Sequence, residues 1–484
     1  MMPPFRTLTV ALAAALATGC TLIPSYERPA APVPQSFPEV VLPGGPEVVP
    51  IEPVEATAAD TAEAAPADAI AWQDYFADAR LREVIALALA NNRDLRVAAL
   101  NIERARAQHS IRRADLFPAI GATGSENAQR LPADLSPSGE SDVSRVYSAT
   151  VGFAAYELDF FGRIRSLKAE ALEAYLGTEE ARRSAQISLV AEVANAWLTL
   201  AFDRERQALA QRTFETRQKS HELIRRSYEA GAVTALDLNQ SQTLLQSARA
   251  DLARFTAFAA QDENALVLVA GGPVPAELLP EMLTDTVSAV AELPAGVPSE
   301  VLVRRPDILQ AERSLRAANA SIGAARAAFF PRITLTAAAG TASSTLDGLF
   351  GSDSGTWSFL PQIRIPIFEA GRLKANLDVA EVQRDINVAQ YEKAIQSAFR
   401  EVADALAERA TLAERLDARR LQLEATQASF GLAEARYKGG VDSYLSLLDA
   451  QRTLYATEQE LIAVRLADAA NRVTLYKVLG GGWQ

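Results

Sequence analysis

Cysteine and histidine are nearly absent from this chain of 484 residues, which contains one cysteine and two histidines. A single cysteine cannot form an internal disulfide, and two imidazoles leave no cluster with metal-ligand spacing. The sequence also contains no nucleophile motif and no glycine-rich phosphate loop. We therefore expect no catalytic activity, no metal site and no bound cofactor.

Basic residues are outnumbered, with 48 Lys and Arg against 60 Asp and Glu and a formal net charge of −12. Because nucleic-acid-binding surfaces are basic, this balance argues against a nucleic-acid partner. Aromatic residues make up only 7% of the chain, whereas 49% is hydrophobic and many segments are rich in alanine. This composition is typical of long helices that pack closely through small side chains.

Long hydrophobic runs are also missing. After the N-terminus no segment reaches the roughly 18 apolar residues that a membrane-spanning helix needs, so any membrane crossing is expected to use strands. At the N-terminus itself, Arg6 precedes an apolar run over residues 8–17, which predicts a signal peptide over residues 1–19.

The only cysteine, Cys20, directly follows that signal peptide. Its position resembles a bacterial lipobox, in which the cysteine is lipidated and becomes the new N-terminus, although Ala17 stands where leucine is usual. The alternative is a plain signal peptide with an incidental cysteine. An unpaired cysteine in an exported protein favours a covalent lipid on Cys20. Residues 20–70, which are rich in Pro, Ala, Val and Glu, are then predicted to form an extended, lipidated N-terminal segment.

The remainder of the chain is internally duplicated, since residues 94–118 match residues 307–331 without a gap. Each half reads as helix, alternating strand pair, long proline-free helix, glycine turn and helix. The predicted boundaries are 71–272 for the first repeat with a β-hairpin at about 118–160, 273–304 for a connector or equatorial segment, and 305–484 for the second repeat with a β-hairpin at about 331–368 and a C-terminal equatorial end. Within the first hairpin, the polar stretch 124–144 is interpreted as a long loop.

The predicted strands of about ten residues have the length of tilted transmembrane strands, and they carry an apolar face. Four strands cannot close in lipid, where open edges are forbidden. Two copies would give eight strands with a side-chain-filled interior, whereas three copies would give twelve strands and a lumen. A helix of about 65 residues would be about 100 Å long and would extend such a tube. The sequence predicts an oligomeric channel, most simply a trimer. A soluble α+β protein, an exported enzyme and a coiled-coil scaffold or adaptor without a pore are the alternatives.

Four stretches carry a family resemblance: LDFFGRIRS, RRPDILQAERSLRAANASIGAARAAFFPRITL, NVAQYEKAIQSAFREVADAL and RYKGGVDSYLSLLDAQRTLY. They resemble the outer membrane factors of the TolC family, and most closely the lipidated OprM branch, over essentially the whole chain. The resemblance implies a mainly α fold with a transmembrane β-hairpin pair. It also implies a homotrimer whose 12-stranded outer-membrane β-barrel is continuous with a long periplasmic α-helical barrel.

The same resemblance implies an exit duct that conducts drugs and other small molecules passively through a gated periplasmic aperture in a tripartite efflux pump. Its partners would be a periplasmic membrane-fusion adaptor, an inner-membrane transporter of the RND class and outer-membrane lipid. The alternative within the family is a duct for type I protein secretion or for metal-ion efflux.

In the family, a hydrophobic ring and an aspartate ring close the aperture, and these fall on Leu445 and Asp449. The two residues are four apart, so they share one face of the helix that follows the break at Gly439 and Gly440. The alternative to a gate role is core packing for Leu445 and a solvated acid on the helix surface for Asp449. Gly231, Gly439 and Gly440 are turn residues, and they would also form the tips that an adaptor contacts.

A latch of TolC-like members falls on Tyr437 and Asp237 by the same resemblance. Asp237 has a rival role, because it lies three residues after Thr234 in a capping-box pattern, and Tyr437 could be helix-end packing. A second latch of such members has an arginine where this chain has Asp442 and an aspartate where it has a serine, which favours the OprM-type gate.

Overall fold

The computed structural model describes residues 21–38, 70–135, 139–283 and 299–483. The predicted signal peptide, Cys20 and much of the predicted N-terminal segment lie outside these residues, as does part of the predicted connector.

The described part of the chain is mostly helical and contains one β-sheet. The helices are α1 (Trp72–Tyr75), α2 (Ala79–Asn91), α3 (Arg93–Ala114), α4 (Arg163–Glu229), α5 (Ala235–Ala270), α6 (Pro306–Ala327), α7 (Arg372–Lys438) and α8 (Tyr444–Val478). The strands are β1 (Gly121–Leu131), β2 (Asp142–Leu158), β3 (Arg332–Ser343) and β4 (Gly355–Arg364). Short 3₁₀ helices lie at Ala276–Leu278 and Ser299–Arg304. Both long helices, α4 and α7, have 67 residues, as expected of stretches that contain no proline.

The chain divides into two compact units, and each contains parts of both predicted repeats. The first unit comprises residues 1–30, 101–179 and 310–391, and the second comprises 31–100, 180–309 and 392–484.

The first unit contains an antiparallel sheet with the strand order β1-β2-β3-β4. Its register places Trp357 opposite Ala339 and Ile363 opposite Ile333, so one face of the sheet collects the apolar residues. Trp357 and Ile363 are 79% and 63% exposed within the protomer. The sheet therefore presents an apolar face that the protomer itself does not cover.

Two details of the sheet differ from the sequence prediction. The polar stretch interpreted as a loop contributes most of β1, whose eleven residues are nearly all exposed. In addition, the alternation predicted for β2 breaks between Phe153 and Tyr156, where Ala155 has φ +54° and its amide donates to Thr336 Oγ1 at 3.0 Å. This β-bulge inserts a residue and reverses the faces that follow it.

The described start of the N-terminal segment packs on α6 within the first unit. Arg28 forms two hydrogen bonds with the buried carboxylate of Glu312, at 3.2 and 2.7 Å, and Tyr26 donates a third at 3.1 Å. Nearer Cys20, the side-chain amide of Asn319 donates to the Pro24 carbonyl at 2.8 Å. A Cβ at Gly323 would lie 2.6 Å from the Ile23 side chain, so the helix needs glycine where the segment crosses it.

The second unit has a core built mainly from α2, the middle of α4 and the end of α8. Tyr75 and Tyr476 stack in this core with ring centroids 3.9 Å apart, and both hydroxyls donate to backbone carbonyls. The Trp197 indole is fully buried and donates to the Leu278 carbonyl at 3.1 Å. These pairings satisfy the polar atoms that burial of large aromatic side chains would otherwise leave without partners.

One described helix, α4, contains a window that is long and apolar enough to cross a membrane by composition. No such segment is expected from the hydrophobic runs of the sequence. However, 56% of the window is buried inside the protein. Because more than half of this window is buried, we interpret α4 as a core helix.

Candidate functional site

Two helical turns in the second unit hold most of the predicted site residues. At the first turn, α4 ends and Gly231 adopts φ +72°, a left-handed conformation that glycine accepts without steric cost. The Gly231 and Ala232 amides donate to the carbonyls of Tyr228 and Ser227 at 2.9 and 2.8 Å, which closes the helix end.

The helix that follows this turn begins with a complete capping box. Asp237 Oδ2 accepts hydrogen bonds from the Thr234 amide at 2.9 Å and from its hydroxyl at 2.7 Å. In return, the Asp237 amide donates to Thr234 Oγ1 at 3.2 Å. The structure thus gives Asp237 the capping role that its spacing predicts.

The second turn repeats this geometry between α7 and α8. Gly440 has φ +70°, and its amide donates to the Tyr437 carbonyl at 3.0 Å. Gly439 does not have a positive φ, so of the two glycines only Gly440 is needed for the backbone conformation. Ser443 caps α8 by accepting from the Ser446 amide at 3.4 Å.

An apolar cluster joins the two turns inside the second unit. Its buried members come from α4, α5 and α8, and α7 contributes only partly buried residues. The buried members are Ile224, Leu244, Tyr444, Leu447 and Leu448. Tyr437 packs against this cluster, with its ring 5.4 Å from the Tyr444 ring. The cluster fixes the orientation of the first turns of α8.

Leu445 and Asp449 lie on the other side of α8 from that cluster. Leu447 and Leu448 are buried, whereas Leu445 is 56% exposed and Asp449 is exposed. Core packing within the protomer therefore does not account for Leu445. An apolar side chain and a carboxylate one turn apart project from the protomer, where a second copy or solvent would meet them.

Tyr437 and Asp237, from opposite turns, interact electrostatically. Burial, followed by the negative charge of Asp237, raises the pKa of the half-buried Tyr437 phenol. The Asp237 carboxylate is engaged by Thr234. The structure thus places the two predicted latch residues near each other. At the same time, the Asp237 carboxylate is hydrogen-bonded to Thr234 in the helix cap.

An ion pair that sequence reasoning missed spans the second turn. Arg436 donates to both carboxylate oxygens of Asp442, at 2.6 and 3.0 Å, and these hydrogen bonds lower the pKa of Asp442. The residues are six apart across a glycine turn, a separation that no helical rule brings together. Only the geometry of the turn brings these two residues into contact.

Among the residues described, no group of His, Cys, Asp or Glu side chains is placed to hold a metal ion.

A match to a known protein family identifies the group of proteins to which this chain belongs. The family model described as "Outer membrane efflux protein" matches residues 84–272 and 297–481, which together cover most of the chain. This chain belongs to the outer membrane efflux protein family. The resemblance found in the sequence is thereby confirmed.

Known members of the family match nearly the whole chain. A Pseudomonas putida relative, "Probable efflux pump outer membrane protein TtgC", is 49% identical over 476 residues, or 98% of this chain and 95% of its own length. A membrane protein from Pseudomonas aeruginosa of known crystal structure aligns with a TM-score of 0.87 and 43% identity, covering 96% of this chain and 98% of that one. The open state of the Neisseria gonorrhoeae MtrE outer membrane channel aligns with a TM-score of 0.83 and 39% identity, covering 96% and 99%.

Proposed function

We propose that this protein is the outer-membrane exit duct of a tripartite efflux pump and conducts small molecules from the periplasm to the exterior. The observation that carries the proposal is the four-stranded sheet. Strands β1 and β4 each pair with one neighbour, and the apolar face around Trp357, Phe359 and Ile363 is exposed. A sheet with two open edges is unstable in lipid, so closure must come from further copies.

Three copies give the simplest closed solution, with twelve strands around a lumen. The chain would then be a homotrimer whose sheet spans the outer membrane and whose helices extend into the periplasm. A covalent lipid on Cys20 would add an anchor in the same membrane. The relative named TtgC is described as an efflux pump component, which supports a small-molecule duct.

The aperture would lie at the paired helical turns. In a threefold assembly, Leu445 would form an apolar ring and Asp449 a carboxylate ring one turn away, with Tyr437 and Asp237 joining adjacent turns. Close carboxylates attract cations. The tips at Gly231, Gly439 and Gly440 would contact a periplasmic adaptor, which in turn would bind an inner-membrane transporter of the RND class.

The test is fractionation followed by electrophysiology. Full-length protein should appear in outer-membrane fractions as oligomers that resist unheated detergent, and it should open conducting pores in planar lipid bilayers. Mature protein that is soluble in the periplasm and inactive in bilayers would refute the duct.

A further inference from the structure

A cavity of about 310 Å³ lies in the first unit, where the strands end and the two long helices begin. This volume lies at the small end of the range for small-molecule sites. Four of its lining residues are arginines: Arg163, Arg332, Arg364 and Arg372. The concentration is unusual in a chain whose net charge is −12.

The nearby carboxylates do not neutralise these arginines one for one. Glu157 is shared, because it binds Arg163 through two contacts of 2.8 Å and Arg332 through one of 2.5 Å. Asp159, which also lines the cavity, pairs with Arg165 at 3.2 Å.

The remaining carboxylate, Glu369, pairs with Arg372. Arg364 interacts with Glu369 only through the longer-range electrostatic field. Across residues 21–38, 70–135, 139–283 and 299–483, no hydrogen bond or ion pair engages the Arg364 guanidinium. The cavity therefore has a surplus of positive charge and a free set of donors.

The arginines also occupy positions that are unfavourable for stability without an anion. Arg332 and Arg364 are direct cross-strand partners in the β3–β4 pair, where like charges repel. Arg163 and Arg372 are the first residues of α4 and α7, whose first turns contain no acid, although Asp159 just before α4 accepts from the Arg165 amide at 2.9 Å. The helix dipole favours negative charge at these ends. An anion in the cavity would reduce the repulsion between Arg332 and Arg364.

Apart from Asn376, the rest of the lining is apolar. Phe161 and Phe330 stack with their ring centroids 4.7 Å apart, and both line the cavity with Leu373. Guanidinium groups bind carboxylates and similar anions through paired donors, and aromatic rings bind apolar bodies. This combination suits an organic anion better than an inorganic one.

We propose that this cavity binds small organic anions that join a carboxylate or sulfonate to an aromatic body, with Arg364 as the main unpaired donor. Arg332 and Arg364 alternate along their strands with Ile333 and Ile363, so they belong to the face opposite the apolar one. That face is the lumen side of the proposed barrel, and the bound anion would be a solute in transit. This last assignment rests on the proposed function, whereas the binding site itself does not.

The experiment measures binding to the full-length, detergent-purified protein by isothermal titration calorimetry. The probes are 2-naphthoate, the neutral analogue 2-naphthalenemethanol and inorganic phosphate. We expect saturable binding of 2-naphthoate that weakens with added salt, and no binding of the neutral analogue at the same concentration. Arg364→Gln should weaken 2-naphthoate binding at least about tenfold, and Arg364→Lys should weaken it less, because lysine keeps the charge but loses the paired donors.

The control is Arg400→Gln, which removes an exposed arginine that pairs with Asp404 at 3.2 Å on α7. It should leave 2-naphthoate binding unchanged. Equal binding of the naphthoate and its neutral analogue would overturn the proposal even if the Arg364 variants failed to fold. So would binding of phosphate alone, binding of no probe, or wild-type affinity in a folded Arg364→Gln protein. A protein that forms conducting pores without binding 2-naphthoate would remove this inference and leave the proposed duct in place.

Discussion

At the residue scale, the exposed pair Leu445 and Asp449 is the most direct target. The double substitution Leu445→Ala and Asp449→Ala should raise single-channel conductance in planar bilayers and reduce cation selectivity, because it removes both proposed rings. Its effect on protomer stability should stay within about 0.5 kcal/mol per site, as for other surface substitutions. Leu421→Ala is a matched control, since Leu421 is 57% exposed on α7. Conductance and selectivity identical to wild type would exclude the pair from the gate.

The buried neighbour Leu448 should behave in the opposite way. Its side chain is fully buried in the cluster between the turns. Truncation of such a residue to alanine costs about 2–5 kcal/mol. Leu448→Ala should therefore lower the thermal midpoint in detergent, whereas Leu445→Ala should not. Equal losses from both substitutions would contradict the assignment of the two faces of α8.

A carboxyl pair in the second unit predicts a pH dependence. Burial, followed by the neighbouring carboxyl of Asp203, raises the pKa of Asp262 to about 6, and the Asp262 Oδ2 atom is closed to solvent. A raised carboxyl pKa means that the folded state holds a proton that the unfolded state loses near pH 4. Stability from this group is therefore lost as the pH rises from about 4 to about 6.

Asp262→Asn removes the charge that causes this loss. It should raise the free energy of unfolding above pH 6 by an amount on the order of 1 kcal/mol, after allowance for partial solvent screening, and the thermal midpoint should rise with it. It should also flatten the stability profile between pH 4 and 6. The exposed acid Glu424, changed to Gln, serves as the control. A profile that keeps its slope in Asp262→Asn would rule out this pair as the cause.

At the element scale, the two glycines of the second turn differ in how strictly the backbone needs them. Gly440 has φ +70°, so an alanine there costs about 1–2 kcal/mol. Gly439 lacks a positive φ, and a Cβ there would only touch the Ala435 carbonyl at 3.4 Å. Gly440→Ala should therefore accelerate amide hydrogen exchange in the first turns of α8, and the adjacent Gly439→Ala should not. Indistinguishable exchange in the two variants would mean that the turn is not held by this conformation.

Much of the element pattern could be predicted from the sequence because it depends on local rules. The absence of proline predicted α4 and α7, and the Thr234 to Asp237 spacing predicted a cap that the structure contains. Most of strand β1 was interpreted as a loop because it is polar and exposed, so its pairing with β2 leaves no apolar period. The bulge at Ala155 was missed because it depends on a hydrogen bond to a residue far along the chain.

The candidate site shows the same division between local and distant information. The shared face of Leu445 and Asp449 follows from helical spacing alone. In contrast, the arginine cavity gathers residues from both halves of the chain, and its charge balance depends on which carboxylate each arginine reaches. No single stretch of sequence contains that information.

At the scale of the whole molecule, the open sheet is the feature on which the proposed assembly depends. The described residues of one protomer supply four strands, and a sheet with two free edges would need to close in lipid. Lipidation belongs to the same scale, because it would tether the assembly to the membrane. Cys20→Ala should abolish fatty-acid labelling of the protein, with the unchanged chain labelled in parallel as the reference. Continued labelling of the variant would refute Cys20 as the anchor.

The measurement that tests the central claim most directly is the number of copies in the detergent-extracted assembly. Light scattering coupled to size-exclusion chromatography gives the protein mass of the complex separately from the detergent. The trimeric barrel predicts three copies per complex, which corresponds to twelve strands. A complex of one or two copies would leave the sheet unable to enclose a lumen and would contradict the account.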